Sequence, residues 1–408
     1  MVVKEEMIIN EGIKIGDSNK CTGCGLCTYL CPKHAISFSL QGLHDIPTIN
    51  KTLCVNCGKC INNCPTNSPV IKNFIQNCYA AWSRDDEIHK NCSSGGLATE
   101  LYLSCIKNGW YVVGCAYDKN IMPKYVATND LNDLSKFRGS KYVSPFFPLQ
   151  TYSQIDNFIS QKKNILFIGL PCHCAALRQR YKNNQYLYLI DLLCRGSNSY
   201  KLFNEYIAFR RKKVGKIYDV SFRGGENDCS ICLWGKDHKL LYRGEQYRDE
   251  YFFTFMKHSA LRLACYSCQY AGSRRIGDIT LGDFWGLDDS FIKEHDVKNG
   301  VNLLLVNTSK GKFLLDSIAN RIEYYKRPVS EAVAGNDTLS RPTQKPADYD
   351  FISLKYQSVG LFNAVHKYDE DYFQMWYAQN RSLQYVVKSF LRKILPLFAI
   401  NFYHKVKK

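Results

Sequence analysis

The sequence has no long run of uncharged apolar residues, so it offers nothing to span a bilayer. Its opening stretch, residues 1–20, mixes Lys4, Glu5, Glu6 and Lys14 into its apolar residues. It shows neither an apolar h-region nor a small-residue cleavage site, which argues against a secretory signal and predicts a cytoplasmic chain. Acidic residues are outnumbered, 37 against 54 basic ones, leaving a formal charge of +17. Such an excess suits nucleic acid, but the cations are scattered and no helix-turn-helix, zinc-finger or RNA-binding signature accompanies them. No nucleic-acid partner is expected. A positive surface also suits acidic electron-transfer partners, anionic cofactors or a membrane face, or is simply solvated.

Cysteine, by contrast, is abundant: 19 residues in 408. Without an export signal, that count points to metal or redox chemistry, because cytosolic thiols are kept reduced. Hydrophobic residues at 45% and charged residues at 22% are ordinary globular usage, over a length that suits two or three folded units.

Eight of the cysteines form a repeated pattern. Cys21, Cys24, Cys27 and Cys31-Pro32 have the same spacing as Cys54, Cys57, Cys60 and Cys64-Pro65. Thiolates bind iron, and the small residues Gly23, Gly25 and Gly58 let three sulfurs converge while backbone amides approach a cluster. The spacing predicts two 4Fe-4S clusters in which the fourth cysteine of each run serves the other cluster. Cys21, Cys24, Cys27 and Cys64 would hold one, and Cys54, Cys57, Cys60 and Cys31 the second. Zinc ribbons use paired C-x2-C knuckles and lack the third cysteine and the Cys-Pro, so zinc and disulfides are the weaker readings.

This cysteine-rich unit ends near Asn73, and alternating helices and strands follow. Residues 98–107 have helical spacing and stop at Asn108-Gly109, and 110–116 reads as a strand. Residues 165–170, a helix from Pro171 to about Tyr181, and 186–193 make a βαβ unit and hence a locally parallel sheet. Ligands in such sheets sit beyond the strands' carboxyl ends, where Cys172, Cys174 and Cys194 fall. Cys172 and Cys194, together with Cys265 and Cys268, would make a third four-thiolate site. Alternatively Cys265 and Cys268 bind nothing or zinc, and Cys172 and Cys194 are buried small hydrophobes.

Two glycine-containing stretches are candidate anion sites. Ser93, Ser94, Gly95 and Gly96 precede the 98–107 helix, where phosphate or pyrophosphate would meet free amides, although serines there are also ordinary caps. The cationic turn Arg138-Gly139-Ser140-Lys141-Tyr142 either grips a phosphate or is solvated. Helical spacing dominates from about Phe351, and residues 381–408 read as a basic amphipathic helix cut by Pro396, which lies on an anionic membrane surface or packs on the protein.

Taken in order, the dicluster motif, Ser93-Ser94-Gly95-Gly96, Arg138 to Tyr142, Gly169-x-Pro171-Cys172, Leu193-Cys194, Cys265-x2-Cys268 and Gly277 to Gly286 resemble the coenzyme F420 hydrogenase/dehydrogenase beta-subunit family over residues 18–345. The resemblance implies an α+β multidomain protein: a ferredoxin-like domain over 1–72, an α/β FAD and iron-sulfur core over 73–345, and a helical C-terminal extension over 346–408. It implies a third cluster on Cys172, Cys194, Cys265 and Cys268, and flavin contacts from Ser93, Ser94, Gly95, Gly96, Gly139, Ser140, Lys141 and Tyr142. It further implies an oxidoreductase that draws electrons from a ferredoxin-like donor or a partner redox subunit and acts on an unnamed small-molecule substrate. Some members resemble those of surface-polysaccharide gene clusters. Where members often read Pro-Cys-Gln, this chain has Pro171-Cys172-His173-Cys174. Cys174 is therefore a rival ligand, and His173 is either a proton donor or a hydrogen-bonded residue at a helix start.

Overall fold

The computed structural model describes residues 15–223, 229–295 and 297–374, so the expected basic helix at 381–408 lies outside the described residues. At the N-terminal end, two cysteine loops flank an antiparallel hairpin of β1 (Ile36–Gln41) and β2 (His44–Ile49). Each loop runs into a short helix, Leu26–Leu30 and Lys59–Asn62. The loops repeat in conformation as well as in spacing. Gly23 and Gly25 have φ of 72° and 76°, and Asn56 and Gly58 take the matching places with 54° and 68°. Glycine enters this left-handed region freely and asparagine tolerates it, so the same turn is made from different residues.

The core strands are β3 (Asn77–Ser83), β4 (Tyr111–Tyr117), β5 (Pro123–Thr128), β6 (Ile165–Gly169) and β7 (Leu187–Leu192). Three further strands, β8 (Asp219–Ser221), β9 (Ser230–Trp234) and β10 (Leu240–Glu245), form a separate antiparallel sheet. The core resumes with β11 (Ile279–Asp283), β12 (Asn302–Val306) and β13 (Ile322–Lys326). Its eight strands lie in the order β13-β3-β12-β11-β7-β6-β4-β5. The expected parallel region is the stretch β11-β7-β6-β4, while β12, β13 and β5 run antiparallel to their neighbours. The sheet is therefore mixed. β6 and β12 are buried at every position, as strands covered on both faces must be.

The Leu97–Lys107 and Ser309–Ile318 helices cover one face, through Leu101, Cys105, Leu314 and Ile318. Leu149–Ser160 and Pro171–Tyr181 cover the other, through Tyr152, Ile155, Ala175 and Leu177. Between β7 and β11 the chain leaves the sheet to build a second core from β8–β10 and the helices Tyr200–Val214 and Glu250–Met256. Tyr349–Val359 and Leu361–Tyr368 pack into that second core with Ile352, Tyr356 and Leu361. The excursion leaves the sheet at Cys194 and returns past Cys265 and Cys268, which is how cysteines some seventy positions apart come together.

The cysteine-rich unit is fastened to both cores. Tyr152 donates its hydroxyl to the Cys24 carbonyl at 3.0 Å and stacks on Tyr29 at 5.0 Å. On the hairpin side the His44 ring lies 3.1 Å from the Ala260 carbonyl, and Arg262 donates to the Asp45 carbonyl at 2.9 Å.

Candidate iron-sulfur and flavin site

The sulfurs of Cys21, Cys24, Cys27 and Cys64 gather around one cavity of about 760 Å³, which Cys54 also lines. Burial pushes the Cys24 thiol up to about 12 and raises Cys27 as well, and Cys64 adds like-charge repulsion at Cys21, Cys24 and Cys27. Burial likewise raises Cys60, whose charged neighbours are Cys31 and Cys57. The fourth cysteine of the second run, Cys64, thus sits with the first three of the first run, and Cys31 of the first run lies close to Cys60 of the second. Thiols packed this way cannot all ionise unless a cation shares their charge, and a soft metal meets that need. One backbone amide is already aimed at a sulfur: Ala35 N lies 3.2 Å from Cys31 Sγ.

A further thiol group forms at the carboxyl ends of β6 and β7. Cys172, Cys194, Cys265 and Cys268 line a single pocket with Thr22 and Arg262. Burial raises the Cys172 thiol well above its ordinary value, and Cys194, Cys268 and Cys265 push it further in that order, with Cys24 of the dicluster unit next. The same combination pushes Cys194 up to about 12 and Cys265 to about 11. Gly196 N donates to Cys194 Sγ at 3.3 Å. Of the two rivals, Cys172 lines this pocket, whereas Cys174 is fully buried with its sulfur 3.5 Å from the Ile190 carbonyl. His173 is buried too, with Nδ1 3.0 Å from the Tyr125 hydroxyl and its pKa pushed down to about 3 by burial and by Arg262. It sits at the helix start with one ring nitrogen hydrogen-bonded and, among the described residues, no partner for the other.

The two glycine-containing stretches meet. Ser140 N donates to Ser93 Oγ at 2.8 Å, although 47 positions separate them. The serines are not caps of the helix they precede, because Ser94 Oγ donates to the Val301 carbonyl and Leu97 N is capped by Asn302 Oδ1 at 3.1 Å. Gly95 is required by contact: a Cβ there would lie 2.4 Å from the Ala81 carbonyl oxygen. Lys141 folds back, donating to the Arg138 and Gly139 carbonyls with its amine 5.5 Å from the Tyr117 ring, and burial lowers its pKa.

Sequence reading overlooked Arg223, which ties these pieces together. Its guanidinium donates to the Ser93 carbonyl, to the Tyr142 hydroxyl at 3.2 Å and to Asp283 at the end of β11 at 2.5 Å, and its buried Nε has no partner among the described residues. Nothing in the residues around Arg223 marks it out. Only the excursion of the second core brings it to the sheet's edge. Ser144 and Ser197 hydroxyls, 2.8 Å apart, connect this cluster to the Cys194 loop.

A dicluster cysteine unit joined to an α/β core, with thiols collected at the strands' carboxyl ends, defines an iron-sulfur electron-transfer protein. The 4Fe-4S dicluster domain matches residues 20–68, and the N-terminal and C-terminal parts of the coenzyme F420 hydrogenase/dehydrogenase beta subunit match 78–150 and 162–332. The chain belongs to the coenzyme F420 hydrogenase/dehydrogenase beta-subunit family. It is 23% identical over 186 residues to a subunit of the F420H2 dehydrogenase of Methanosarcina mazei, covering 43% of this chain and 53% of the relative. Over 83 residues it is 35% identical to a subunit of the Na+-translocating ferredoxin:NAD+ oxidoreductase complex of Acetobacterium woodii, 19% of this chain and 24% of that one. The chain therefore spans about half the length of the first relative and a quarter of the second. A chain of the F420-reducing NiFe hydrogenase complex from Methanosarcina barkeri aligns at 19% identity and a TM-score of 0.46, over 66% of this chain and 88% of that one. Among the described residues no helix is long and apolar enough to cross a membrane.

Proposed function

We propose that the chain is an iron-sulfur flavoprotein oxidoreductase that takes single electrons from a low-potential, ferredoxin-like donor and delivers them through FAD to a small-molecule substrate. The observation that carries this reading is the position of Cys172, Cys194, Cys265 and Cys268. Their pocket adjoins Cys24 of the dicluster unit on one side and the Ser93–Ser140–Arg223 cluster on the other. In this reading Cys21, Cys24, Cys27 and Cys64 hold one cluster, Cys31, Cys54, Cys57 and Cys60 a second, and the four core cysteines a third. Ser93 to Gly96 and Gly139 to Tyr142 hold the flavin, with Arg223 available to an anionic part of it. When bound, the clusters supply one-electron transfer and the flavin exchanges single electrons for hydride.

The chain's own residues set the entry point. Cys57 is exposed, between exposed Leu53 and Val55 on one side and Lys59 on the other. Between Ser18 and Arg84 the sequence contains one acid, Asp45, against Lys20, Lys33, Lys51, Lys59, Lys72 and Arg84. An acidic electron carrier is complementary to that face. Anaerobic purification tests the whole reading: about twelve irons and one flavin per chain are expected from three four-iron clusters, and iron without any flavin would reject it.

A second reading is an electron-relay subunit without a substrate of its own, favoured because both relatives above are by name subunits of larger enzymes. Bound flavin without turnover of any small substrate by the isolated chain would support it.

A further inference from the structure

Among the described residues Arg262 is a buried cation without a carboxylate partner. It is 8% exposed, and the hydrogen bond its guanidinium makes among the described residues is to a backbone carbonyl, that of Asp45 at 2.9 Å. The other buried arginines behave differently: Arg275 pairs with Asp191, and Arg210 with Asp249 and Glu250. Removing a guanidinium from water without a counter-charge is expensive, and such charges are normally paired or close to a metal site.

The surroundings of Arg262 supply a counter-charge of another kind. A Cβ added to Gly23 would meet Arg262 Nη2 at 2.8 Å, so the guanidinium is pressed against the first cysteine loop between Cys21 and Cys24. The same side chain lines the pocket formed by Cys172, Cys194, Cys265 and Cys268. Burial pushes the Cys21 and Cys265 thiols up, and Arg262 is among the influences that hold each of them down. One cation thus faces thiols of two groups. Gly23 serves this arrangement twice, since any side chain there would displace the guanidinium and its left-handed backbone, φ 72°, would be strained.

We infer that Arg262 is a shared electrostatic partner of the cluster on Cys21, Cys24, Cys27 and Cys64 and of the cluster on Cys172, Cys194, Cys265 and Cys268, raising the reduction potential of both. The inference rests on the three-cluster reading proposed above. An iron-sulfur cluster with four thiolate ligands is a net anion that gains a further negative charge on reduction. A fixed cation between two such anions stabilises their reduced forms and offsets the repulsion between them. The same anions offset the cost of burying the guanidinium. Arg262 is a positioning residue for charge and does not itself carry electrons.

The test is an EPR-monitored redox titration of the anaerobically purified holoprotein and its Arg262→Gln and Arg262→Lys variants, with iron counted in each. In Arg262→Gln, with iron unchanged, two midpoints move to more negative potential, while that of the cluster on Cys31, Cys54, Cys57 and Cys60 stays in place. Arg262→Lys restores most of the shift. Twelve irons with all midpoints unmoved would overturn the inference and leave the three-cluster reading intact. About eight irons in the wild-type chain would overturn the three-cluster reading itself and the shared role with it. Should the Gln variant not fold, pulsed EPR of the reduced wild-type protein labelled with 15N-arginine gives the answer. A guanidinium nitrogen coupling on the Cys21-group cluster supports the inference, and its absence overturns it.

Discussion

Arg275 Nη2 lies 2.9 Å from Asp191 Oδ1, with the two side chains 2% and 0% exposed. Asp191 is the last buried residue of β7, and its second oxygen accepts the amides of Ile276 and Gly277 at 3.0 and 2.8 Å. Arg275 reaches on to the carbonyls of Tyr270 and Gly272. The pair therefore fixes the segment that follows Cys268 against the strand that ends before Cys194. Breaking a buried pair leaves its survivor uncompensated, so Asp191→Asn should cost roughly 3–5 kcal/mol in chemical denaturation. The double change Asp191→Leu, Arg275→Met should cost less than the sum of the single changes. Equal additivity would show that the two groups do not act as a pair.

Crossed ligation has a chemical signature. In a Cys21→Ser, Cys24→Ser, Cys27→Ser variant about four irons are lost, and native alkylation followed by mass spectrometry should modify Cys64 while Cys31 stays protected. Modification of Cys31 with Cys64 protected would mean that each run holds its own cluster.

The assignment of Cys172 over Cys174 rests on the direction of two sulfurs on one helix. Cys172→Ala should lose about four irons. Cys174→Ala should keep them all and lower stability by about 1 kcal/mol, the scale of a small buried truncation. Iron loss from the Cys174 variant would reverse the assignment.

The exposed edge around Cys57 should respond to charge. Lys51→Glu, Lys59→Glu is expected to raise the KM for an acidic ferredoxin about tenfold at low salt, with the difference shrinking as salt is added. Reduction by a small viologen dye should be unaffected. An unchanged KM for ferredoxin would place electron entry elsewhere.

His44 gives a pH dependence. Burial, assisted by Arg262, pushes its pKa down to about 3, so the folded chain keeps the ring neutral while the unfolded chain protonates it below about 6.5. The unfolded state binds the extra proton in that window, and stability falls as pH drops, by about 1.4 kcal/mol per unit well below 6.5. Denaturation of the wild type and of His44→Gln between pH 7 and 5 checks this, and identical slopes would remove His44 as the cause.

Much of this protein is local, and what is local was legible. The 97–107 and 171–181 helices carry their stop and start signals, Asn108-Gly109 and Pro171, within a few positions, and the structure places them within one residue of expectation. The seams were less visible. Ser93 and Ser94 look like caps in one dimension, yet the cap of their helix comes from Asn302, 205 positions away. The sheet looks parallel from its central βαβ unit, and its antiparallel flanks appear only when β12 and β5 are paired.

The sequence by itself determined the cysteine unit. The spacing within each run is a matter of a few covalent steps and two left-handed residues per loop, and it is legible without any distant contact. Tertiary structure alone decided which cysteines of the core face one another, that Cys174 is turned away, and that half-buried Arg223 and buried Arg262 and Arg275 sit at three different junctions. A guanidinium reads the same in sequence whether it is solvated or buried. Its role is fixed by the dielectric around it and the charge it faces, and both are set by segments that the chain brings together only on folding.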